Sequence, residues 1–299
     1  MSIYKKTRKN SILCGLCLVA FLVFPTTSHA TLDRAREAGF MAHKALYEIQ
    51  LSSKSSSSKI ANISGKMFYE WQPSCDAWVS NHRFDMMYEY SEGPALRVTS
   101  DFSTYESFDG ARFNYTSQRK KDGAVFEEVR GNVKANEAAY PNEAVYTIPE
   151  DLVFDLPKGT LFPMAHTLDV LNAIRTNKKF VQATIFDGSD DEGPVEVNSF
   201  IGKPATYTIP EEYKEYIDKD LVQAKAWKLR LAFFPLNKPD STSDYEMSLV
   251  FHENGVISDM EIDYGDFSVT QTLVAIEPLG DACDPEVGAP ADIKKIKEK

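Results

Sequence analysis

The sequence predicts a mainly β protein: a large curved or spiral antiparallel sheet, wrapped as a single domain, with one central α-helix. Three observations carry this. Apolar and polar residues alternate with period two over most of the chain. Asp-Gly and Asn-Gly pairs separate the alternating runs, as two-residue hairpin turns require. Helical spacing is confined to few segments, chiefly 163–179. About a dozen strands read this way need a closed or strongly curved sheet to bury one face and manage their edges.

The first element is an export signal. Lys5, Lys6, Arg8 and Lys9 precede an uncharged apolar run over 12–24, and Ser28-His29-Ala30 supplies a small-x-small cleavage pattern. Residues 1–30 therefore read as a signal peptide cut after Ala30. The apolar run is shorter than the roughly 20 residues that span a bilayer, so no stable membrane span is expected after processing; an uncleaved anchor is the alternative. Leu13 and Leu16 precede Cys14 and Cys17 where a lipid-modified Cys would follow a small residue. Cleavage removes four basic and no acidic residues, which takes the formal charge from -11 to -15. Such acidity argues against a nucleic-acid partner, whose phosphates are neutralised by Lys and Arg.

Segment 33–41 reads as a short helix leading into the first strand. Ala45, Tyr47, Ile49 and Leu51 alternate over 43–51, and Ile63, Met67, Tyr69 and Trp71 over 63–71, with the Ser-rich 52–58 as a flexible hairpin loop. Trp78, His82, Phe84, Met86, Tyr88 and Tyr90 share one side of the next run. Asp109-Gly110 and Asp122-Gly123 divide a meander of 97–108, 111–119 and 124–133. Then comes the helix, with Pro163 in its first turn, Met164, Leu168, Leu171 and Ile174 on one face, and Lys178 and Lys179 at its C-terminal end. Segment 211–225, within a charged insertion at about 203–226, reads as helical or disordered. Strands return at 245–251, 256–264 and 267–276, with Asn254-Gly255 and Gly265-Asp266 as turns, and 284–299 is a polar, loose tail. No Pro/Ser/Gly linker splits 31–283, which reads as one domain.

Two Cys survive processing, Cys75 and Cys283. An even count in an oxidising compartment favours pairing, with two buried free thiols as the alternative. His43, His82, His166 and His252 are isolated and match no metal-binding spacing, so neither a metal nor another cofactor is expected. No Gly-x-Ser-x-Gly elbow, Walker loop or Gly-x-Gly-x-x-Gly is present, and Ser56-x-x-Lys59 lies in the Ser-rich loop without a Lys-Thr-Gly. The acidic segment 186–193 fails as an EF-hand, because Glu192 stands where Gly is needed and Asn198 where Glu is needed; it reads as a solvated turn. No catalytic residue is assigned. Trp71, Trp78, Tyr88 and Tyr90 are the candidate ligand-binding aromatics, for a peptide or acyl chain in an apolar groove, against the alternative that they fill the core.

Five segments carry a family resemblance: HKALYEIQL (43–51), SGKMFYEWQPSCDAW (64–78), GTLFPMAHTLDVLNA (159–173), FDGSDDEG (186–193) and HENGVISDMEIDYGDFSV (252–269). From about 42 to 283 the chain resembles the cell-envelope integrity protein EipB family of alphaproteobacteria. The resemblance implies a periplasmic, monomeric β-spiral protein with a disulfide at the positions of Cys75 and Cys283. It also implies a role in envelope maintenance under stress; together with the empty motif search this makes the leading expectation a non-enzymatic periplasmic protein that holds a peptide or protein partner on a concave β surface. A lipid or lipoprotein carrier and an envelope hydrolase are the rival expectations. The Ser-rich loop, the 203–226 insertion and the Lys-ended tail depart from the family pattern.

Overall fold

The structure, a computed structural model, describes residues 39–134, 142–236 and 242–280. The signal peptide, residues 33–38 of the first expected helix, Cys283 and the tail lie outside the described residues. Gly39, Phe40 and Met41 are not helical; they lead directly into the first strand.

Fourteen strands form one antiparallel sheet. The N-terminal run is β1 (His43–Lys54), β2 (Ile60–Pro73), β3 (Ala77–Tyr90), β4 (Leu96–Ser107), β5 (Arg112–Lys121), β6 (Ala124–Lys134), β7 (Asn142–Ile148) and β8 (Val153–Leu156). Helix α1 (Pro163–Arg175) follows, then β9 (Phe180–Ile185), β10 (Val195–Ala205), a 3-10 turn (Glu211–Tyr213), the four-residue α2 (Lys219–Val222) and β11 (Ala226–Pro235). The last strands are β12 (Tyr245–His252), β13 (Ile257–Asp263) and β14 (Phe267–Pro278). The spatial order is β8-β7-β6-β5-β4-β3-β2-β1-β14-β13-β12-β11-β10-β9. Every strand thus lies beside a sequence neighbour, except that β1 meets β14 in the middle of the sheet.

The sheet curls without closing. From the end of β8 at Leu156, only five residues lead to Leu161, which forms a parallel bridge with Ile185 at the end of β9. Five residues reach at most about 18 Å, so the two edges of the sheet come close although β8 and β9 do not pair. The loop after β9 is tucked inside the outer turn of this spiral. Phe186 packs against Phe113, Tyr115 and Tyr146 of β5 and β7, and the Tyr146 hydroxyl donates to the Asp190 carbonyl at 2.8 Å. Segment 186–193 thus keeps the Asp hydrogen bonds and positive-φ glycines expected of a turn, but only Asp191 and Glu192 are exposed and its first half is packed inside. Its Asp-Gly chemistry serves to pass a backbone under an aromatic floor: a Cβ on Gly188, at φ +65°, would stand 2.3 Å from the Tyr115 ring.

Helix α1 ends four residues before its expected limit. Asn177 adopts φ 56°, its N–H bonds the Ile174 carbonyl, and the Lys178 N–H reaches back to that of Ala173 at 2.8 Å. This is a Schellman close with Asn at the left-handed position, which halts the helix before the two lysines. Two of the expected two-residue turns also differ. Asp122-Gly123 has both φ values positive, as a type I′ turn requires. Between β4 and β5, however, a four-residue loop forms because the Asp109 carboxylate accepts from the Ala111 N–H and the Ser107 hydroxyl. A four-residue loop also carries Asn254-Gly255.

The 206–225 segment is ordered. Ile217, Leu221 and Val222 are buried, and Ile217 bridges Ile276 beyond the point where β13 stops pairing with β14 at Thr272. The insertion thus covers a stretch of strand whose backbone would otherwise lack a partner. One large apolar cluster joins α1 to β1, β2 and β10–β14, and a second, mostly aromatic, lies under β5–β8.

Candidate functional site: the helix within the spiral

Helix α1 is held at its start by a residue distant in sequence. Its N-cap position, Phe162, has no side chain able to accept from the first N–H groups. Glu106, the penultimate residue of β4, does so: its two carboxylate oxygens accept from the Met164 and Ala165 N–H groups, each at 2.8 Å. The side chain is almost fully buried, at 3% exposure. Burial pushes its pKa up to about 7, against the downward pull of the two backbone donors. The carboxylate is the long-range equivalent of an N-cap.

Below this cap the Trp71 and Trp78 rings stack at 5.3 Å and an angle of 22°, both buried, and the Trp71 Nε1–H points at the Met164 sulfur at 3.1 Å. Phe40 meets both indoles edge-on. Tyr88 and Tyr90 do not join them. Ten residues of extended strand separate Tyr88 from Trp78, roughly 33 Å, and Tyr90 is exposed at the far end of β3. A common side of one strand does not make a common site on so long a strand, so the four aromatics form no single groove.

The expected histidines are all packed inside or half-buried. His82 lies between Tyr69 and Phe102, and burial lowers its pKa to about 4. His166, on α1, is 3.1 Å from the Ser199 hydroxyl, and burial lowers its pKa to about 4. His252 sits 2.8 Å from the Ser258 hydroxyl through Nε2 and 3.1 Å from the Ala224 carbonyl through Nδ1. Both serines are fully enclosed. These contacts have Ser-His spacing, but neither hydroxyl is reachable by a substrate, and each satisfies a buried ring nitrogen. Among the described residues no cluster of three or more His, Cys, Asp or Glu is arranged to hold a metal ion.

A cavity of about 120 Å³ separates α1 from β1, β2, β11 and β12, with Trp71, His43 and His166 among its walls. Sequence reasoning singled out Trp71 but missed Glu106 and the placement of His43. Glu106 carried one signal, an acid at an inward position of an alternating strand, but its partner is 58 residues away.

The EipB-like family model matches residues 34–280. This chain belongs to the EipB-like family. It is 28% identical over 238 residues to the cell envelope integrity protein EipB of Brucella abortus, covering 79% of this chain and 83% of that protein. A crystal structure titled as a β-barrel-like protein of a domain of unknown function, also from Brucella abortus, superposes with a TM-score of 0.73 at 27% identity, covering 81% of this chain and 99% of the other. The curled β-sheet is thus shared with a solved structure described as β-barrel-like. Among the described residues no helix is long and apolar enough to cross a membrane.

Proposed function

We propose that this EipB-like chain is an exported, non-catalytic protein of the periplasm that supports cell-envelope integrity by holding a peptide or protein partner. The observation that carries the reading is the filled inner face. Helix α1 and the 186–194 segment occupy the space a concave groove would need, and the 120 Å³ cavity is smaller than the roughly 300–1,000 Å³ of ordinary ligand pockets. That argues against an acyl chain held in the cavity beside α1; larger hollows of about 610–720 Å³ lie elsewhere on the protein. The enclosed serines argue against a hydrolase built on His166 or His252.

The partner surface in this reading moves from the concave face to the edge at β9. The Leu161 N–H bonds the Thr184 carbonyl on the side away from β10, so the backbone groups of Phe180 and Gln182 also face outward. Among the described residues no backbone group pairs with them. Phe180 and Phe200 are exposed and sit 5.0 Å apart beside this edge. An extended peptide added there would gain ladder hydrogen bonds and an aromatic contact. Export through residues 1–30 and a Cys75–Cys283 disulfide belong to the same proposal. In support, Cys75 is disulfide-bonded. His43 is paired with both Trp71 and Pro278, which brings the chain shortly before Cys75 and shortly before Cys283 to one end of the sheet.

Two measurements test this. Deleting the gene is expected to lower survival under detergent and cell-wall antibiotics; unchanged survival in all such conditions overturns the envelope role. Periplasmic crosslinking is expected to capture a partner with the natural chain but not with Gln182→Pro, which removes one outward N–H while an edge strand tolerates the ring. Equal capture by both overturns the β9 assignment.

A further inference from the structure

A hollow of about 640 Å³ lies where the 206–225 segment leaves the sheet and returns to it. Its position follows from the pairing of Ala205 with Ala226 at the ends of β10 and β11. That pair sets the chain leaving β10 beside the chain entering β11, so residues 206–209 and 222–225 wall one space. Helix α2 supplies a third side. Leu221 is buried beneath it, while Lys219 and Gln223, four residues apart on the other face, are exposed and line the hollow.

Charge is sorted around this hollow. Its charged lining is Lys214, Lys219 and Lys225, and none of the five acids of the segment lines it. Glu211 is held by Lys214. The Asp218 carboxylate accepts from the Asp220 N–H at 2.9 Å, and Glu215 and Asp218 line a different hollow, against β1 and β14. Lys219 and Lys225 form no ion pair with any described residue. The Thr206 and Thr208 hydroxyls and the Gln223 side-chain amide likewise make no hydrogen bond to a described residue. Two cations and three neutral donors thus share one concavity, on a chain whose formal charge is -11.

We infer that this hollow binds the phosphate group of a small organic phosphate, with Lys219 and Lys225 supplying charge and Thr206, Thr208 and Gln223 supplying neutral donors. A phosphate offers three strong acceptor oxygens, and its hydrogen bonds to lysine are charge-assisted. The hollow is larger than phosphate alone fills and falls within the roughly 300–1,000 Å³ of ordinary ligand pockets. Tyr207 and Ile209 add apolar surface for an organic body. A soluble organic phosphate and a lipid headgroup share this chemistry. The five residues from Phe200 to Ala205 set the hollow roughly 16 Å from the aromatic pair at the β9 edge, so either assignment can fail without the other.

The test titrates the purified chain at low salt with glycerol 3-phosphate and with glycerol, followed by calorimetry and by backbone amide resonances. Glycerol 3-phosphate is expected to bind saturably at one site and to move the amides of 206–208 and 219–225; glycerol is expected to do neither. Lys219→Gln combined with Lys225→Gln is expected to weaken binding at least tenfold. A charge-matched control, Lys66→Gln with Lys134→Gln at exposed strand positions, is expected to change it less than twofold. Absence of saturable binding, equal loss in the two double variants, or amide shifts that avoid the hollow each overturns the site. The amide map is made on the natural chain, so it decides even if a variant fails to fold. Sedimentation with phosphatidylcholine vesicles, with and without phosphatidylglycerol, separates the two sources. Binding that needs phosphatidylglycerol and is lost in the Lys219/Lys225 variant places a lipid headgroup in the hollow; no such binding leaves a soluble phosphate as its ligand.

Discussion

Replacing Glu106 by Gln separates two opposed effects at the start of α1. The ionised carboxylate accepts two helix N–H groups at the positive end of the helix, which favours charge. Its burial disfavours charge. A folded pKa of about 7 against an ordinary 4.5 says that burial wins. Each pKa unit is about 1.4 kcal/mol, so the gap corresponds to roughly 3 kcal/mol of pH-dependent stability. Because the folded pKa is raised, the folded state binds the extra proton: this contribution is fully present below pH 4.5 and is lost as pH rises through about 7. Gln cannot titrate, and at pH 5 it resembles the protonated acid in keeping one carbonyl acceptor for the helix N–H groups, with an uncharged NH₂ in place of the O–H. The Gln variant is therefore expected to match the natural protein near pH 5 and to exceed it in stability by roughly 2–3 kcal/mol at pH 8. Urea unfolding at both pH values, with the two proteins compared at each, measures this directly. His82 and His166 titrate in both proteins, so their effect cancels in the difference. If Glu106→Gln instead costs more stability at pH 8 than at pH 5, the charged cap outweighs burial and the reasoning fails.

Three further outcomes are expected. Gly188→Ala combines a positive φ with a contact to Tyr115 that a Cβ cannot make, and should cost about 2–4 kcal/mol in denaturant unfolding; a change within 0.5 kcal/mol would mean that the loop is not wedged there. Ser258→Ala leaves His252 Nε2 without its buried partner and should cost roughly 1–3 kcal/mol, read from thermal unfolding, with no cost if water replaces the hydroxyl. Asn177→Val forces a β-branched residue to φ 56° and should lower stability by about 1–2 kcal/mol, whereas Asn177→Gly should be neutral or slightly stabilising; the reverse order would count against the Schellman close.

The strands were readable because alternation is a local property. Ala45, Tyr47 and Ile49 alternate with Lys44, Glu48 and Gln50 in the sequence, and their burial alternates in the same way along β1. The turns were readable only in part. Asp122-Gly123 formed its tight turn, but the Asp109 carboxylate formed an Asx-type bridge that lengthened the loop, and both pairs look alike in sequence. The 211–225 segment was half legible for a related reason: it forms a 3-10 turn and the short α2, as its helical reading expects, and is not disordered. Its charges mark a solvated face, while Ile217 and Leu221, four residues apart, are the anchors that order it against β14.

The candidate site was less legible. Trp71 and Trp78 are conspicuous by residue type, but their burial depends on Phe40 and Met164 reaching them from distant parts of the chain. Tyr88 and Tyr90 show the converse: shared sidedness on one strand did not bring them to the same place.

The sequence by itself determined the class of fold, the strand-by-strand sidedness and the family features, because these depend on residues within a few positions of one another. Only the tertiary structure decided what fills the spiral. Glu106 meets α1, the 186–194 loop passes under Tyr115, and His43 Nε2 is buried without a hydrogen-bond partner, because the curled sheet brings together groups that no sequence period relates. Packing in three dimensions, and the burial that follows from it, sets the protonation, hydrogen bonding and accessibility of those groups.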